Sequence, residues 1–447
     1  MFHLESFKEK MRVAGVNEKT IKVFSHYYIQ FLNGEKGKLS KNDILTPDDK
    51  QIIYYEDIGE RSFENLKKIA IIKLNGGLGT SMGLSKAKSL LPVKGNDTFL
   101  DIIVKQTLII REKYKIELPL IFMNSFNTSD DTLDFLKKYP EIIISDLPLH
   151  FIQNMFPKVR KDDYKPLDCQ IDTANWNPPG HGDIYNALSG CGLLQKLLDK
   201  GIEYVFVSNC DNLGAIVDNK ILDKIVEDNI DFAMEVCCRT EMDKKGGHLA
   251  QKIDGKLILR EVAQCPEDEI DEFQNIEIYK FFNTNNLWIN LKALKQKLLE
   301  YDGVLPLPLI LNEKKVGVRS SEFGVQNSEI QVYQFETAMG AAISVFDNSK
   351  AICVPRNRFL PVKKNQDLLL LWSDSYELND DYVIVKKDGA KDTILDLNNE
   401  FYGSIDQLKE ACENGVPSLY DCDSLTIKGY VKFERGQVFK GNCVVSN

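Results

Sequence analysis

Glycines and lysines are concentrated in one short segment near the end of the first fifth of the chain. Asn75-Gly76-Gly77-Leu78-Gly79-Thr80 follows an apolar run that ends at Leu74, and Lys86, Lys88 and Lys94 come next. A residue without Cβ lets backbone N–H groups approach an anion, and positive φ is open to it. Lysine ammonium groups add mobile positive charge nearby. This spacing predicts a site for nucleotide phosphates.

The glycine pattern alone leaves the kind of phosphate loop open. No glycine in the segment is followed by Lys-Ser or Lys-Thr, so the Walker pattern has no match. Gly77, Gly79 and Gly83 form G-x-G-x-x-x-G, a near miss of the dinucleotide fingerprint. A nicotinamide site and a glycine-rich turn without a ligand therefore both remain alternatives to a nucleoside triphosphate site at this point.

Length and composition favour a cytoplasmic protein of two or three domains. The chain has 447 residues, 43% of them hydrophobic, and a net charge of −10, which argues against a nucleic-acid binder. There is no apolar run of about 18 residues, and the charged N-terminus does not look like a signal peptide, so no membrane partner is expected. The ten cysteines show no C-x-x-C pair, so we expect reduced thiols and leave a redox switch open.

The segments that must position these residues follow a pattern typical of α/β proteins. Apolar residues at helical spacing predict helices within residues 1–45, and residues 46–345 alternate short apolar runs with amphipathic segments, as in a mostly parallel sheet covered by helices. Predicted strands lie at 118–124, 204–209 and 231–238, and a predicted helix lies at 182–201.

The last hundred residues differ in pattern from the rest. Residues 346–363 contain two prolines and are predicted to form a crossing arm without a repeating element. Residues 424–445 place apolar residues and glycines at short, nearly regular intervals, which predicts stacked coils of a β-helix.

Eight ordered segments resemble the UTP–glucose-1-phosphate uridylyltransferase family, also called UDP-glucose pyrophosphorylases. The first is LNGGLGTSMG followed by KAKSLLPV. The others, which bring the resemblance to about residues 70–370, are FMNSFNT (122–128), NPPGHGDIYNAL (177–188), FVSNCDNLGA (206–215), DKKGGHLAQ (243–251), FFNTNNLWINL (281–291), QFETAMGAAI (334–343) and RNRFLPVKKNQDLL (356–369).

The resemblance implies a fold as well as a reaction. The fold is a Rossmann-like, glycosyltransferase-A-like mixed sheet with flanking helices, followed by a short C-terminal left-handed β-helix. We therefore expect an N-terminal helical segment at 1–45, a nucleotidyltransferase domain at 46–345, and a linking arm with the β-helix at 346–447. The reaction is reversible: UTP and glucose 1-phosphate give UDP-glucose and pyrophosphate, with Mg²⁺ as cofactor.

The resemblance also assigns roles by position. Lys88 and Lys363 would be catalytic, stabilising charge on the phosphates, and Asp211 would hold Mg²⁺ at the end of the strand 204–209. The expected substrate-binding residues are Leu74, Asn75, Gly76, Gly77, Met123 and Gln153 around the base; Gly180 and His181 at the nucleotide sugar or its phosphate; Asn209 at the ribose or metal; Lys245 as a further lysine; and Gly247, Asn283, Thr284, Asn285, Asn286 and Glu336 at the hexose.

Several alternatives stay open beside this assignment. Another hexose 1-phosphate, such as galactose or N-acetylhexosamine 1-phosphate, is possible as the acceptor, although the glycine segment differs from that of the N-acetyl enzymes. A non-catalytic nucleotide-sugar sensor is a further alternative. Ser81 stands where many related nucleotidyltransferases carry an arginine, which argues against thymidylyl or guanylyl transfer. A monomer is favoured, and a homo-oligomer is not excluded.

Overall fold

The chain forms two compact units that each contain several separate segments. In a computed structural model, which describes residues 3–35, 37–59, 62–169, 172–318 and 328–446, unit 1 comprises Met1–Ala70, Phe151–Val207 and Asp218–Val354. Unit 2 comprises Ile71–His150, Ser208–Val217 and Pro355–Asn447. The predicted division at residues 45 and 345 follows the chain in sequence order and stays a prediction.

The N-terminal helices of unit 1 are Leu4–Val13 and Glu18–Leu32. Phe24 of the second helix packs with ring centroids 5.4 Å from Phe156 and 5.8 Å from Phe335, so aromatic burial holds this helix in place. The helical prediction for 1–45 is wrong beyond Leu32, where Gly34 and Gly37 adopt positive φ. Met1, Phe2 and Lys36 lie outside the described residues.

A mixed β-sheet forms the centre of unit 1. Its strands run in the order Ile52–Tyr54, Ser349–Cys353, Phe232–Cys238, Phe281–Asn290 and Tyr204–Asn209, the last of which ends in unit 2. Phe281–Asn290 is antiparallel to both of its neighbours. The first three of these strands pair in parallel, as expected of a mostly parallel sheet. Phe281–Asn290 departs from that expectation, and the chain before it forms the hairpin His248–Lys252 and Leu257–Arg260.

Two further predictions for unit 1 need correction. The predicted helix 182–201 is two helices, Ile184–Gly190 and Leu193–Asp199, because Gly192 adopts φ 77° between them. Within the predicted arm 346–363, Ser349–Cys353 is a strand paired in parallel with Phe232–Cys238.

Unit 2 contains a parallel strand pair and a C-terminal parallel sheet. The strand Ile69–Asn75, which begins in unit 1, pairs with Leu120–Asn124, and the helix Phe99–Tyr114 connects them. The C-terminal sheet consists of Ile394–Leu397, Ser418–Ile427 and Val438–Val445, all parallel. Stacked parallel strands are compatible with the predicted β-helix, whose left-handed winding stays a prediction.

The remaining elements of the described residues are mostly short. The other helices are Ser129–Leu136, Asn219–Glu227, Ile270–Phe273, Leu291–Glu300, Asn365–Trp372, Asn399–Tyr402 and Ile405–Ala411, and the other strands are Ile44–Leu45, Pro92–Lys94, Asp97–Thr98, His150–Ile152, Phe156–Pro157, Val159–Arg160, Trp176–Asn177, Ile310–Val318, Ser328–Glu336, Tyr376–Leu378 and Ile384–Lys386. None of the helices in this part of the chain has the length and apolar character needed to cross a membrane.

Candidate active site

The start of the glycine segment in unit 2 is bonded to the end of the strand Leu120–Asn124 and to the residues that follow that strand. Asn75 donates its amide to Asn124 Oδ1 at 2.9 Å and to Thr132 Oγ1 at 2.8 Å, while the carbonyl oxygen of Gly76 accepts from Ser125 Oγ at 2.9 Å. The side chain of Asn75 is buried in these contacts, so any substrate contact of Asn75 falls to its backbone. Gly77 is exposed.

Positive φ is used only once in the predicted phosphate loop. Gly83 adopts φ 79°, whereas Gly76, Gly77 and Gly79 are not among the residues with positive φ. No atom lies within 4 Å of a Cβ built on Gly77, so the backbone of this exposed residue is accessible.

Lys88 and Lys363 converge on one carboxylate oxygen. Lys88 Nζ donates to Asp211 Oδ2 at 2.7 Å, and Lys363 Nζ donates to the same oxygen at 3.0 Å. Lys88 Nζ also donates to the carbonyl oxygen of Val362. The structure thus brings together the three residues to which the family resemblance assigns catalytic and metal-binding roles.

Backbone contacts hold this cluster together across 152 residues of sequence. The N–H of Val362 donates to the carbonyl oxygen of Asp211 at 3.0 Å, and the N–H of Leu360 donates to Asn212 Oδ1 at 2.8 Å. A Cβ on Gly214 would lie 2.3 Å from the carbonyl oxygen of Asn357, so only glycine permits this approach. The segment after Pro355 is therefore fixed to the loop that follows the strand Tyr204–Asn209.

Asp211 is poised as an ionised acceptor. Burial acts to raise the pKa of its carboxyl, but the Lys363 and Lys88 ammonium groups outweigh burial and lower it. Asp211 Oδ1 is buried and has no hydrogen-bond partner in the described part of the chain. A carboxylate with one satisfied and one unsatisfied oxygen retains a ligand atom for a cation.

The donor set fits Mg²⁺ bound through few protein ligands. The described residues contain no group of three or more His, Cys, Asp or Glu side chains able to hold a metal ion. Magnesium is commonly bound by one or two carboxylates together with substrate phosphates and water. The unpartnered oxygen of Asp211 is consistent with that mode.

Other lysines near the glycine segment have different surroundings. Lys94 Nζ donates to the carbonyl oxygens of Leu371 and Ser373, both at 2.7 Å, and burial lowers its pKa to about 8. Lys86 is exposed. Lys73, which the sequence did not single out, is buried and donates to Ser208 Oγ at 2.8 Å. Its only sequence signal is a lysine inside an apolar strand.

The remaining predicted residues of unit 2 lie at strand ends. Leu74 is half-buried and Met123 buried, and the two are partners in the parallel strand register. Asn209, at the end of its strand, is half-buried and lies two residues before Asp211. These positions agree with the rule that ligands bind beyond the carboxyl ends of strands in open α/β sheets.

In unit 1, the turn Pro178–Asp183 is joined to the segment after Glu336. Gly180 adopts φ 77°, and a Cβ there would lie 2.6 Å from the carbonyl oxygen of Thr337. The N–H of Gly182 donates to that same oxygen at 2.8 Å, and His181 Nδ1 accepts from the N–H of Met339 at 2.9 Å. Because Nδ1 is an acceptor, the neutral ring of His181 carries its proton on Nε2.

A bulge shapes the predicted hexose residues. Glu235 pairs with Asn286 and Val236 pairs with Asn283, so Thr284 and Asn285 are extra residues in the strand. Asn285 adopts φ 59°, and its N–H donates to Asn283 Oδ1 at 2.9 Å. The bulge thus takes part of this run of asparagine residues out of the regular pairing between the two strands.

Glu235 holds this bulge and was not predicted. Its buried carboxylate accepts from Asn286 Nδ2 at 3.0 Å and from Trp288 Nε1 at 2.9 Å. Its carbonyl oxygen accepts from Thr284 Oγ1 at 2.7 Å. A charged residue within the apolar run 232–238 was the available signal.

Gly247 lies beside both the bulge and a second acidic residue that the sequence reasoning missed. Its carbonyl oxygen accepts from the N–H of Asn283 at 3.1 Å, and a Cβ on it would lie 2.6 Å from the carboxylate of Glu261. Burial raises the pKa of Glu261. Nothing in the sequence around Glu261 distinguished it from a surface residue.

The other predicted residues of unit 1 differ in exposure. Glu336 is half-buried, burial raises its pKa, and its Cβ would lie 3.1 Å from a Cβ on Gly180. Gln153 is half-buried. Lys245 is exposed, and within the described residues the structure shows no hydrogen bond or ion pair for it. The structure therefore groups Gly180 with Glu336 and Gly247 with Asn283, and leaves Lys245 apart.

Comparisons with known proteins give one consistent result. The sequence model of the family described as UTP–glucose-1-phosphate uridylyltransferase matches residues 21–440. A Solanum tuberosum protein of that name is 40% identical over 452 residues, covering 98% of this chain and 91% of its own. A Hordeum vulgare protein of the same name is 41% identical and covers 93% of this chain and 86% of its own.

Solved structures agree with the sequence comparisons. A mutant of UDP-glucose pyrophosphorylase from Leishmania major, in complex with UDP-glucose, has a TM-score of 0.91 at 42% identity and covers 99% of this chain and 94% of its own. A UDP-glucose phosphorylase from Trypanosoma brucei has a TM-score of 0.88 at 43% identity, covering 100% of this chain and 95% of its own.

Proposed function

The chain belongs to the UTP–glucose-1-phosphate uridylyltransferase family, and from this membership we propose that it transfers the uridylyl group of UTP to glucose 1-phosphate. The products are UDP-glucose and pyrophosphate, and the reaction is reversible. Within the molecule, the observation that best supports this activity is the convergence of Lys88 and Lys363 on Asp211.

The chemistry requires neutralisation of charge more than proton transfer. A phosphate oxygen of the sugar ester attacks the α-phosphorus of UTP in line, and pyrophosphate leaves from the opposite side. The attacking oxygen is already ionised, so no general base is needed. Two unit charges about 4 Å apart interact by roughly 4 kcal/mol at an effective dielectric near 20, which makes a lysine an effective stabiliser of a crowded phosphate.

Lys88 and Lys363 carry the positive charge in this proposal. Lys88 is largely buried and fixed by Asp211 and the carbonyl oxygen of Val362, so it needs little reorganisation when phosphates bind. Lys363 is 57% exposed, and within the described residues its side chain is held by Asp211 alone, which suits a group that moves towards the triphosphate. Asp211 would hold Mg²⁺, which supplies further positive charge against phosphate oxygens when bound.

The substrate contacts divide by chemical type. Backbone groups of Leu74, Gly76 and Gly77 read uracil, with Met123 against the base and the amide of Gln153 as a further hydrogen-bonding group. Asn209 contacts the ribose or metal, and Lys245 adds charge. Gly180 and His181 contact the nucleotide, with Nε2–H of His181 as a donor to phosphate. The hexose hydroxyls are bound by Gly247, Glu336 and the bulge residues 283–286, with the carboxylate of Glu261 as an additional acceptor.

The finer features of the fold and setting belong to the same proposal. We infer a Rossmann-like, glycosyltransferase-A-like sheet with a short C-terminal left-handed β-helix, supported by the three parallel C-terminal strands. The division into segments 1–45, 46–345 and 346–447, a cytoplasmic location and a monomeric state are proposed with it.

The proposed activity is tested by pyrophosphate release. Purified protein is incubated with UTP, Mg²⁺ and, in separate reactions, glucose, galactose or N-acetylglucosamine 1-phosphate. We expect release with glucose 1-phosphate at least tenfold faster than with either other ester. Faster turnover of another ester would reassign the substrate, and no release with any of the three would contradict the enzymatic activity.

A further inference from the structure

A buried carboxylate in unit 1 lies outside the set of residues assigned to substrate. Asp183 is 2% exposed, and both of its oxygens accept hydrogen bonds from Asn154. The backbone N–H of Asn154 donates to Oδ2 at 2.6 Å, and its side-chain amide donates to Oδ1 at 2.9 Å. The carboxylate of Asp183 thus accepts hydrogen bonds from both the backbone and the side chain of Asn154.

The carboxylate of Asp183 lacks the partner that buried carboxylates usually have. Within the described residues, the polar contacts of its carboxylate are with Asn154, and no Lys, Arg or His contributes to its pKa. Burial of a carboxylate without a cation is unfavourable, and here burial raises the pKa of Asp183 to about 7. The stability of the folded protein alone therefore gives no reason for a carboxylate at this place.

The N-terminal helix fixes the orientation of Asn154. Thr20 Oγ1 donates to Asn154 Oδ1 at 2.7 Å, which directs the amide nitrogen of Asn154 towards Asp183. Rotation of that amide by 180° would turn its oxygen towards the carboxylate of Asp183 and lose the side-chain donation to it. Thr20 is 2% exposed and lies in the first turn of the helix Glu18–Leu32, which Asn17 caps.

The sequence neighbours of the pair are the residues that give it a function. Asn154 follows Gln153 directly, and Asp183 lies two residues after His181 in the turn whose Gly182 is bonded to Thr337. The part-buried hydrogen bonds between Asn154 and Asp183 therefore restrain the backbone next to both Gln153 and His181. Preorganised contacts of this kind lower the cost of ordering when a ligand binds.

We propose that Asn154 and Asp183 are a positioning pair for nucleotide binding, and that Thr20 locks this pair through the N-terminal helix. In this proposal neither residue of the pair contacts the substrate. The inference rests on the proposed function, because it gives the nucleotide contacts to Gln153 and His181. It adds a role for the N-terminal helix, to which no part of the reaction had been assigned.

The test removes one contact at a time. Thr20→Val, Asn154→Asp and Asp183→Asn are each compared with wild type by calorimetric binding of UDP-glucose and by steady-state kinetics. We expect each single variant to raise KM for UTP and Kd for UDP-glucose at least fivefold, while kcat stays within threefold. Thr20→Val is the mildest change, because valine is similar in shape to threonine and removes only the hydroxyl.

A reciprocal exchange distinguishes positioning from simple loss of structure. In the double variant Asn154→Asp/Asp183→Asn, the introduced amide at 183 donates to the introduced carboxylate at 154 and accepts from the backbone N–H there. Thr20 still finds an acceptor. We expect KM and Kd of this double variant to return to within twofold of wild type.

Thr107→Val is the matched control for Thr20→Val. Thr107 is 1% exposed, and its hydroxyl donates to the carbonyl oxygen of Ile103 within its own helix. KM within twofold of wild type is expected for it.

The outcomes separate this inference from the proposed function. Wild-type protein that fails to bind UDP-glucose overturns the proposed function and the inference with it. Normal wild-type binding with unchanged KM and Kd in folded Thr20→Val protein overturns the positioning role alone. So does a folded double variant that stays as weak as the single variants.

Discussion

Two ammonium groups on a single carboxylate oxygen are an arrangement that phosphates can readily displace. Lys88 and Lys363 both donate to Asp211 Oδ2, whereas Oδ1 has no partner in the described residues. A bound triphosphate offers more negative charge than one carboxylate, so the lysines gain by turning towards it. In the proposed function, Asp211 would then accept from the lysines before substrate binds and would also be a ligand for Mg²⁺.

Lys88→Met should lower kcat by about 10²- to 10³-fold, because the substitution keeps most of the side-chain length and removes the charge near the phosphates. Pyrophosphate release under saturating substrates measures the effect. Lys86→Met is the matched control, since Lys86 is exposed in the same segment, and it should stay within threefold of wild type. A kcat for Lys88→Met within threefold of wild type would remove Lys88 from the catalytic role.

Asp211→Asn should raise the Mg²⁺ concentration needed for half-maximal activity by about tenfold or more, because an amide oxygen is a weaker ligand than a carboxylate. Titration of Mg²⁺ after chelation with EDTA measures this, and EDTA alone should abolish turnover. Asp134→Asn, an exposed carboxylate paired with Lys137, should not change the Mg²⁺ dependence. An unchanged Mg²⁺ requirement in Asp211→Asn would exclude Asp211 as the ligand.

At the scale of elements, close backbone approach decides the geometry of the turn Pro178–Asp183. Gly180 and Gly192 both adopt φ 77°, but only Gly180 has neighbours that a Cβ would strike. Substitutions at the two glycines therefore distinguish two costs. Both positions share the cost of positive φ, but only Gly180 adds the cost of a steric clash. A close contact also fixes the bulge at Thr284–Asn285. Thr284 Oγ1 donates to the carbonyl oxygen of Glu235 and holds the irregular backbone in place.

Gly180→Ala should destabilise the protein by more than Gly192→Ala, which should cost about 1 kcal/mol from positive φ alone. A Cβ at 180 would lie 2.6 Å from the carbonyl oxygen of Thr337, whereas no atom lies within 4 Å of a Cβ at 192. Thermal unfolding measures the difference, and KM for UTP should rise only in Gly180→Ala. Equal Tm values for the two variants would contradict the steric argument.

Local patterns predicted much of the framework. The strand 204–209 was predicted with the bounds that the structure shows, and membership of the uridylyltransferase family is confirmed. Lys88, Asp211 and Lys363 were predicted to share a site because motifs mark each of them, and the structure does bring them together; their roles stay predictions. The break at Gly192 was missed because a glycine within a helical pattern is often tolerated.

Contacts between distant segments explain what the sequence did not reveal. Glu235 and Asn286 are 51 residues apart, and Asn154 is 134 residues from Thr20. Periodicity within a segment carries no information about such partners. Each of these residues, taken alone, looks like an ordinary polar residue near an apolar run, so only the tertiary structure shows that its polar atoms are paired.

At the scale of the whole molecule, stability should depend on pH through Asp183. Its pKa is about 7 in the folded protein, against an ordinary value of 3.8. Between these values the folded state holds a proton that the unfolded state has lost, so this group makes stability fall as pH rises from about 4 to about 7. The expected slope is about 1.4 kcal/mol per pH unit.

Asp183→Asn should remove the contribution of Asp183 to the pH dependence of the unfolding free energy. The unfolding free energies of wild type and Asp183→Asn are measured by urea denaturation at pH 5, 6 and 7. As pH rises, the unfolding free energy of wild type should fall relative to that of the variant. Asp134 is the control, because its carboxylate is exposed and a hydrogen bond from Lys137 lowers its pKa. Asp134→Asn should not change the dependence of the unfolding free energy on pH in this range. A pH-independent difference for Asp183→Asn would show that Asp183 is ionised throughout this range.

The order of the segments has a consequence for synthesis on the ribosome. Unit 2 is assembled from Ile71–His150, Ser208–Val217 and Pro355–Asn447, so a nascent chain that has just delivered Asp211 still lacks Lys363 and the carbonyl of Val362. At a translation rate of about 5–20 residues per second, Asp211 is without Lys363 for on the order of ten seconds or more. Ribosome-bound chains that stop before the last segment should therefore expose unit 2 to protease, and release of the full-length chain should protect it.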